Sequence, residues 1–277
     1  MSNPSTSQSV SQKDKCLQFS LLHREEPFLI PNPWDTGSAR ILQGLGFKAL
    51  ATTSSGLAYT LGRNDGEVTL EEKLAHCAAL AANTDIPINA DFEDGFSDKT
   101  QIAVENVHRL IETGVAGCSI EDFDRDKKVL YEFERAVERI QAVVEVVASL
   151  DMPFQLTARA ENLLRGKNDI DDTIKRLQAY SAAGANVLYA PGINSLEQLK
   201  LVTGEVDKPF NVLAPFLATA SVSEMMEAGA QRISVGGALN WVTVNPLIQA
   251  GREMLENGTF NWMGSMASGA EINKLMS

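Results

Sequence analysis

The chain has 277 residues, with 24 Lys and Arg against 36 Asp and Glu, a net charge of −12 and a sequence pI near 4.8. No window carries the basic stripe that phosphate neutralisation requires, which excludes nucleic acid and anionic membrane surfaces as expected partners. With 44% hydrophobic and 22% charged residues the composition is that of an ordinary globular protein. No apolar run approaches the roughly 18 residues of a membrane span, and a soluble, cytoplasmic protein is expected.

Residues 1–15 (MSNPSTSQSVSQKDK) are poor in apolar side chains and rich in Ser and Gln, and read as a disordered leader. The segment has neither the apolar core of a secretory signal nor the arginines of a transit peptide. Cys16, Cys77 and Cys118 form no CxxC pair and read as buried, reduced thiols. His23, His76 and His108 are scattered, so zinc, Ser-His-Asp and Cys-His chemistry find little material.

Short apolar, β-rich runs recur at residues 28–31, 49–52, 87–91, 117–121, 154–158, 186–190, 210–214 and 232–236. Helical periodicity fills the intervals, as at 71–80, 102–112, 133–150, 170–183 and 221–228. Four junctions share one pattern, a helix end, a glycine (Gly46, Gly114, Gly184, Gly229) and then a strand, which suits a left-handed helix terminator. Eight alternating units allow an open doubly wound sheet or a closed (β/α)8 TIM barrel. About 250 residues after the leader, and no GxGxxG after the first strand, favour the barrel. No Pro/Gly-rich linker divides residues 16–277, which are expected to form a single domain.

In such a barrel the chemistry lies where strands end. The first strand ends in Asn32-Pro33-Trp34-Asp35, the second in Thr53-Ser54-Ser55-Gly56, the third in Asp91-Phe92-Glu93-Asp94-Gly95, the fourth in Glu121-Asp122, and the fifth in Arg159-Ala160-Glu161. Asp91 and Glu93, two apart on an extended chain, project to one side, and Glu121 joins them from the next strand. Converging carboxylates repel unless a cation sits among them, and hard oxygen donors suit Mg²⁺ or Mn²⁺. The competing reading has them capping helices or pairing with rim Lys and Arg. Arg159 is suited to clamping a substrate carboxylate or phosphonate, or else forms a salt bridge to Glu121 or Glu161. The hydroxyls and N–H groups of Thr53–Leu57 are suited to a small anion or are simply a polar turn.

Taken in order, NPWDTGSARIL (32–42), TTSSGLAYTLGRND (52–65), INADFEDGF (88–96), GVAGCSIED (114–122), LTARAENLLRG (156–166), AYSAAGANVLYAPG (179–192), NVLAP (211–215) and AGAQRISVGGAL (228–239) resemble the isocitrate lyase/phosphoenolpyruvate mutase superfamily. The resemblance implies a (β/α)8 barrel, commonly tetrameric, that binds Mg²⁺ and makes or breaks C–C or P–C bonds beside a 2-oxo acid. By position, Asp91 resembles the direct metal ligand, and Glu93 and Glu121 resemble carboxylates acting on the metal through water. Asp65 resembles the acid of the loop bordering the site. Ser55, Gly56 and Leu57 resemble the segment that holds the 2-oxo acid, Arg159 the substrate-contacting arginine, and Asn211, opening NVLAP, a further substrate contact.

Two family features are absent. The Lys-Lys-Cys-Gly-His loop of isocitrate and 2-methylisocitrate lyases is replaced by EDFDRDKKVL (121–130), with neither Cys nor His, and the Lys-Thr-Asn motif of the phosphonate mutases is missing. Glu93 stands where the family more often has Asp. The expected activity is Mg²⁺-dependent lysis or decarboxylation of a small, oxaloacetate-like 2-oxo or 2-hydroxy dicarboxylate through a pyruvate-type enolate stabilised by metal. P–C bond chemistry on a phosphonopyruvate-like substrate is the alternative, and a non-catalytic 2-oxo acid-binding barrel is a reading of another class. Tyr59, a metal-bound water, Lys127 and Lys128 are the candidate proton donors. The helix at 244–255 is expected to close the barrel. The apolar tail, residues 260–277, is expected to pack on a neighbouring subunit of a homo-oligomer, most simply a tetramer.

Overall fold

The computed structural model describes residues 10–277. The expectation for residues 1–9 lies outside the described residues, but the leader reading extends too far. Helix α1 (Gln12–Leu22) starts at the Ser11 N-cap. Lys15 is buried, its ammonium donating to the carbonyls of Ala81 (2.8 Å) and Thr84 (2.5 Å). Those carbonyls end another helix, where a cation is favoured, so tertiary contact overrides a locally polar composition.

The eight expected strands are present: β1 (Phe28–Ile30), β2 (Leu50–Ala51), β3 (Ile88–Asp91), β4 (Gly117–Glu121), β7 (Gln155–Arg159), β8 (Val187–Tyr189), β9 (Phe210–Leu213) and β10 (Arg232–Ser234), with β5 (Phe123–Asp124) and β6 (Val129–Leu130) forming an added hairpin after β4. The eight pair in parallel in the order β1-β10-β9-β8-β7-β4-β3-β2. The remaining seam is bridged where Ala51 N–H donates to Pro31 O (3.0 Å) and the Asn32 side chain to Thr52 O (3.1 Å). The result is a nearly closed (β/α)8 TIM barrel.

Outside it lie α2 (Thr36–Gly44), α3 (Ser54–Thr60), α4 (Leu70–Ala82), α5 (Thr100–Ile111), α6 (Phe133–Ala148), α7 (Ile170–Ala183), α8 (Leu196–Gly204) and α9 (Val222–Glu227). Buried Leu, Ile, Val and Phe from strands and helices merge into one main core between sheet and helices. The four junction glycines all take positive φ, between 90° and 107°. At Gly184 a Cβ would also meet Val144 Cγ1 at 2.8 Å, so space and backbone both demand glycine there. The three cysteines are buried and free, as expected.

The C-terminal region departs from expectation. Helix α10 spans Ala238–Asn257, starting before residue 244 and running through Pro246, and only Asn240 on it is buried. It does not close the barrel: Trp241, Val242, Leu247 and Leu255 stay 55%, 67%, 64% and 89% exposed. Helix α11 (Gly269–Met276) instead lies against α2 of its own chain, with Arg40 donating to the Met276 carbonyl and Gly44 bringing its backbone against Leu275. Absence of a side chain at Gly44 permits this approach, which the apolar content of the tail does not reveal. Among the described residues, no helix is long and apolar enough to cross a membrane.

Candidate active site

The strand ends converge on a cavity of about 220 Å³ at the mouth of the barrel, reached by Asp91, Arg159, Ser54, Ser55 and Asp65. A smaller neighbour of about 110 Å³ shares Ser54, Asp65 and Arg159 and is bounded by Glu93, Glu121, Arg125, Lys128 and Arg165.

Asp91 ends β3. Its backbone N–H donates to Thr52 Oγ1 (2.9 Å), which also accepts from the buried Lys73 ammonium (2.9 Å). Its carboxylate accepts from Ser54 N–H (3.1 Å) and faces Arg159 Nη1 at 3.4 Å. Burial would raise its pKa; Arg159, Lys73 and the Ser54 N–H outweigh that and hold it below the ordinary value, so Asp91 is an anion. Glu93 sits in a left-handed backbone conformation (φ 47°), rare outside glycine and asparagine, with its carboxylate 3.4 Å from Arg125 Nε. Burial pushes its pKa up to about 7 despite Arg125. Glu121 is raised well above the usual carboxylate range, by burial first and then by the charge of Glu161.

Arg159 joins the two readings the sequence left open. It lines the cavity, and it also pairs with Asp91, with Glu121 (3.4 Å) and closely with Glu161. Glu161 is wholly buried and its N–H donates to Asp122 Oδ1 (2.8 Å). Asp122 in turn accepts from Arg176 (2.9 Å) and Tyr180 (2.6 Å), which fixes the start of the loop after β4.

Other expected residues divide. Ser55 lines the cavity, and Asp65 borders both cavities. Asn211 also lines the larger cavity, with Oδ1 accepting from Arg232 (2.8 Å). Gly56 and Leu57 do not reach it: both are buried, and their N–H groups bond to Thr53 as the first turn of α3. A Cβ at Gly56 would meet Thr53 Cγ2 at 2.5 Å and Trp34 Cβ at 3.0 Å, so this glycine serves packing within the turn. Tyr59 lines neither cavity and instead packs on Trp241, with ring centroids 5.8 Å apart. Lys127 is drawn off by Asp98 and by Asp124 (3.1 Å), whereas Lys128, at φ 57°, reaches the smaller cavity.

Residues the sequence reading passed over include Arg125, whose Nη2 donates to Gly66 O (2.8 Å) and Val68 O (2.7 Å), and Arg165, stacked 3.7 Å from the Phe123 ring centroid. They lie beyond the strand ends, where only the hairpin and the turn after β7 bring them back. Among the described residues no three acidic, imidazole or thiol groups stand close enough to share one ion.

Comparison with known proteins agrees with this architecture. Residues 19–255 match the family model described as phosphoenolpyruvate phosphomutase. The 2-methylisocitrate lyase of Halalkalibacterium halodurans is 31% identical over 84% of this chain and 74% of its own, and the oxaloacetate decarboxylase of Paraburkholderia xenovorans 29% over 78% and 76%. A crystal structure from Burkholderia cenocepacia J2315, described as a candidate lyase/mutase, is 40% identical, covers 96% of both chains and superposes with a TM-score of 0.91. The crystal structure of 2,3-dimethylmalate lyase, a PEP mutase/isocitrate lyase superfamily member, shares the fold at a TM-score of 0.83 and 24% identity over 96% of this chain and 94% of its own. With the barrel, the ordered strand-end residues and a family match over most of its length, this chain belongs to the phosphoenolpyruvate phosphomutase family and is an enzyme of the isocitrate lyase/PEP mutase type.

Proposed function

We propose that the protein is a divalent-metal-dependent lyase or decarboxylase that cleaves a C–C bond in a small 2-oxo or 2-hydroxy dicarboxylate, of which oxaloacetate is the simplest. The observation that carries this reading is the convergence of Asp91, Glu93 and Glu121 on adjoining cavities that share Arg159, with Arg159 beside Asp91 and burial raising Glu93 and Glu121 above the usual carboxylate range despite their arginine partners. Such a set suits Mg²⁺ or Mn²⁺ that keeps most of its water, bound directly by Asp91 and through water by Glu93 and Glu121. When bound there, the ion supplies Lewis acidity for the negative charge that cleavage develops on the 2-oxo oxygen.

The chain's own groups do the rest. Arg159, held by three carboxylates, orients the substrate carboxylate with little freedom left to lose. Ser55 supplies a polar contact to the same end from the start of α3. Lys128, which borders the smaller cavity, and a metal-bound water are the remaining candidate proton donors, since Tyr59 and Lys127 are engaged elsewhere. Relatives named as oxaloacetate decarboxylase and 2,3-dimethylmalate lyase support C–C chemistry. The family model's own description favours the second reading, P–C bond rearrangement or hydrolysis on a phosphonopyruvate-like substrate. A panel of 2-oxo and 2-hydroxy dicarboxylates and phosphonopyruvate, scored for pyruvate and, with phosphonopyruvate, also for phosphoenolpyruvate, with and without EDTA, separates these from a barrel that binds without turnover.

The exposed apolar face of α10, together with Phe260, Met263 and Met266, supports a homo-oligomer, the tetramer being the assembly that the family resemblance implies.

A further inference from the structure

Below the mouth, the barrel interior is polar where aliphatic layers are usual, and it holds a cation without an anion. Arg232 opens β10 and points inward, 2% exposed. Its guanidinium donates to Asn211 Oδ1 (2.8 Å), Thr157 Oγ1 (3.2 Å) and His23 Nε2 (3.3 Å). All three acceptors are neutral. His23 donates its Nδ1–H to Phe19 O (2.7 Å), which leaves Nε2 as the acceptor, and burial with Arg232 beside it pulls its pKa down to about 3. Among the described residues Arg232 makes no ion pair, whereas Arg125, Arg159, Arg165 and Arg176 each rest on a carboxylate.

A desolvated guanidinium lacking a counter-charge is unfavourable, and two of its five N–H groups remain unassigned. Burial pulls its pKa down to about 10. Arg232 and Asn211 line the same cavity that Asp91 and Arg159 enter from above. So does Asn89, 3% exposed, whose Oδ1 has no hydrogen-bond partner and whose Nδ2 has only a 3.5 Å contact with Ala90 O. Its amide is therefore free to turn either end towards a ligand.

We propose that Arg232, with Asn211 and Asn89, forms an anion subsite on the floor of the cavity that receives the substrate's second acidic group, the one remote from Asp91. This rests on the reading of the Asp91–Arg159 end as the seat of the 2-oxo acid. The occupant's charge neutralises Arg232 within the barrel, which selects substrates with two acidic groups over monoacids.

The test is calorimetry on the Mg²⁺-loaded protein with two probes, oxamate, a monoanionic analogue of the 2-oxo acid end, and 3,3-difluorooxaloacetate, which adds the remote carboxylate. Arg232→Met should weaken difluorooxaloacetate at least tenfold and leave oxamate within twofold. Should that variant fail to fold, Asn211→Asp keeps the acceptor for Arg232 Nε, gives up the Nδ2 donor to Ser234 Oγ and places a carboxylate beside the guanidinium; it should produce the same selective loss, while Arg232→Lys restores part of the binding. Equal loss of both probes, or difluorooxaloacetate unaffected by Asn211→Asp, overturns the subsite and leaves Arg232 a tie between α1, β7 and β9. Failure of the wild type to bind oxamate is a separate result, which contradicts the reading of the mouth. In that case a rise in melting temperature with difluorooxaloacetate that is lost in Asn211→Asp still supports the floor subsite, and no such rise overturns it.

Discussion

Asp91 and Glu93 stand two residues apart but in different electrostatic settings, and their substitutions should differ accordingly. Asp91→Ala removes the anion on the cavity wall and is expected to abolish Mg²⁺ binding. Glu93→Gln keeps the side chain's size in its left-handed position and should only weaken binding, because its contact runs through water. Calorimetric titration with Mg²⁺ checks both, and unchanged affinity in Asp91→Ala would exclude the site. The histidines make a second prediction. Burial lowers His23 to about 3 and His76 to about 4, below the ordinary 6.5. The unfolded chain therefore takes up these protons first. Stability is full above pH 6.5 and declines as pH falls towards those values, by about 1.4 kcal/mol per pH unit for each histidine at most. Urea unfolding at pH 7 and pH 5 measures this, and a His23→Gln variant with an unaltered pH dependence would contradict it. At this scale the strand-end residues were legible because the barrel places chemistry at strand ends. Arg232 was not, because it begins a strand inside a run that reads as apolar core, and its role depends on what faces it across the interior.

The β5–β6 hairpin, Phe123 to Leu130, carries neither the Cys nor the His expected of an isocitrate or 2-methylisocitrate lyase, and it is pinned by the Asp122 network and presents Arg125 and Lys128 to the smaller cavity. Isocitrate and 2-methylisocitrate should therefore be poor substrates, since losing a positioned acid or base costs about 10²–10⁴-fold. Rates within tenfold of a cysteine-bearing relative would refute this. The helix-to-strand junctions offer a test of fold. At Gly184 an added methyl meets both an unfavourable φ of 107° and Val144 at 2.8 Å, whereas Gly46, at φ 98°, has nothing within 4 Å. Gly46→Ala should cost only the backbone term, about 1–2 kcal/mol, and Gly184→Ala measurably more in thermal unfolding. Equal losses would contradict the packing account. Periodicity and glycine placement made the strands and most helices legible, since both are local signals. Helix α1 was hidden because the charges of Gln12–Lys15 pattern like solvent, while its Lys15 is satisfied by carbonyls 66 and 69 residues away.

For the molecule as a whole, the least legible part was the C-terminal third of the last unit, whose apolar side chains signal burial without saying against what. Helix α11 answers for itself by covering α2, whereas α10 leaves Trp241, Val242, Leu247 and Leu255 in solvent. A protein with this face uncovered should self-associate. Leu247→Glu should reduce the mass measured by light scattering, and a wild type already monomeric would exclude the homo-oligomer. The barrel, the cavity and the charge arrangement meet in one claim, that Asp91 and its neighbours support metal-dependent cleavage of a 2-oxo dicarboxylate. Pyruvate release from oxaloacetate, measured for wild type and Asp91→Ala with Mg²⁺ and with EDTA, tests it most directly. The account predicts Mg²⁺-dependent release well above the spontaneous rate for wild type alone, abolished by EDTA. Release that survives both EDTA and Asp91→Ala would contradict it.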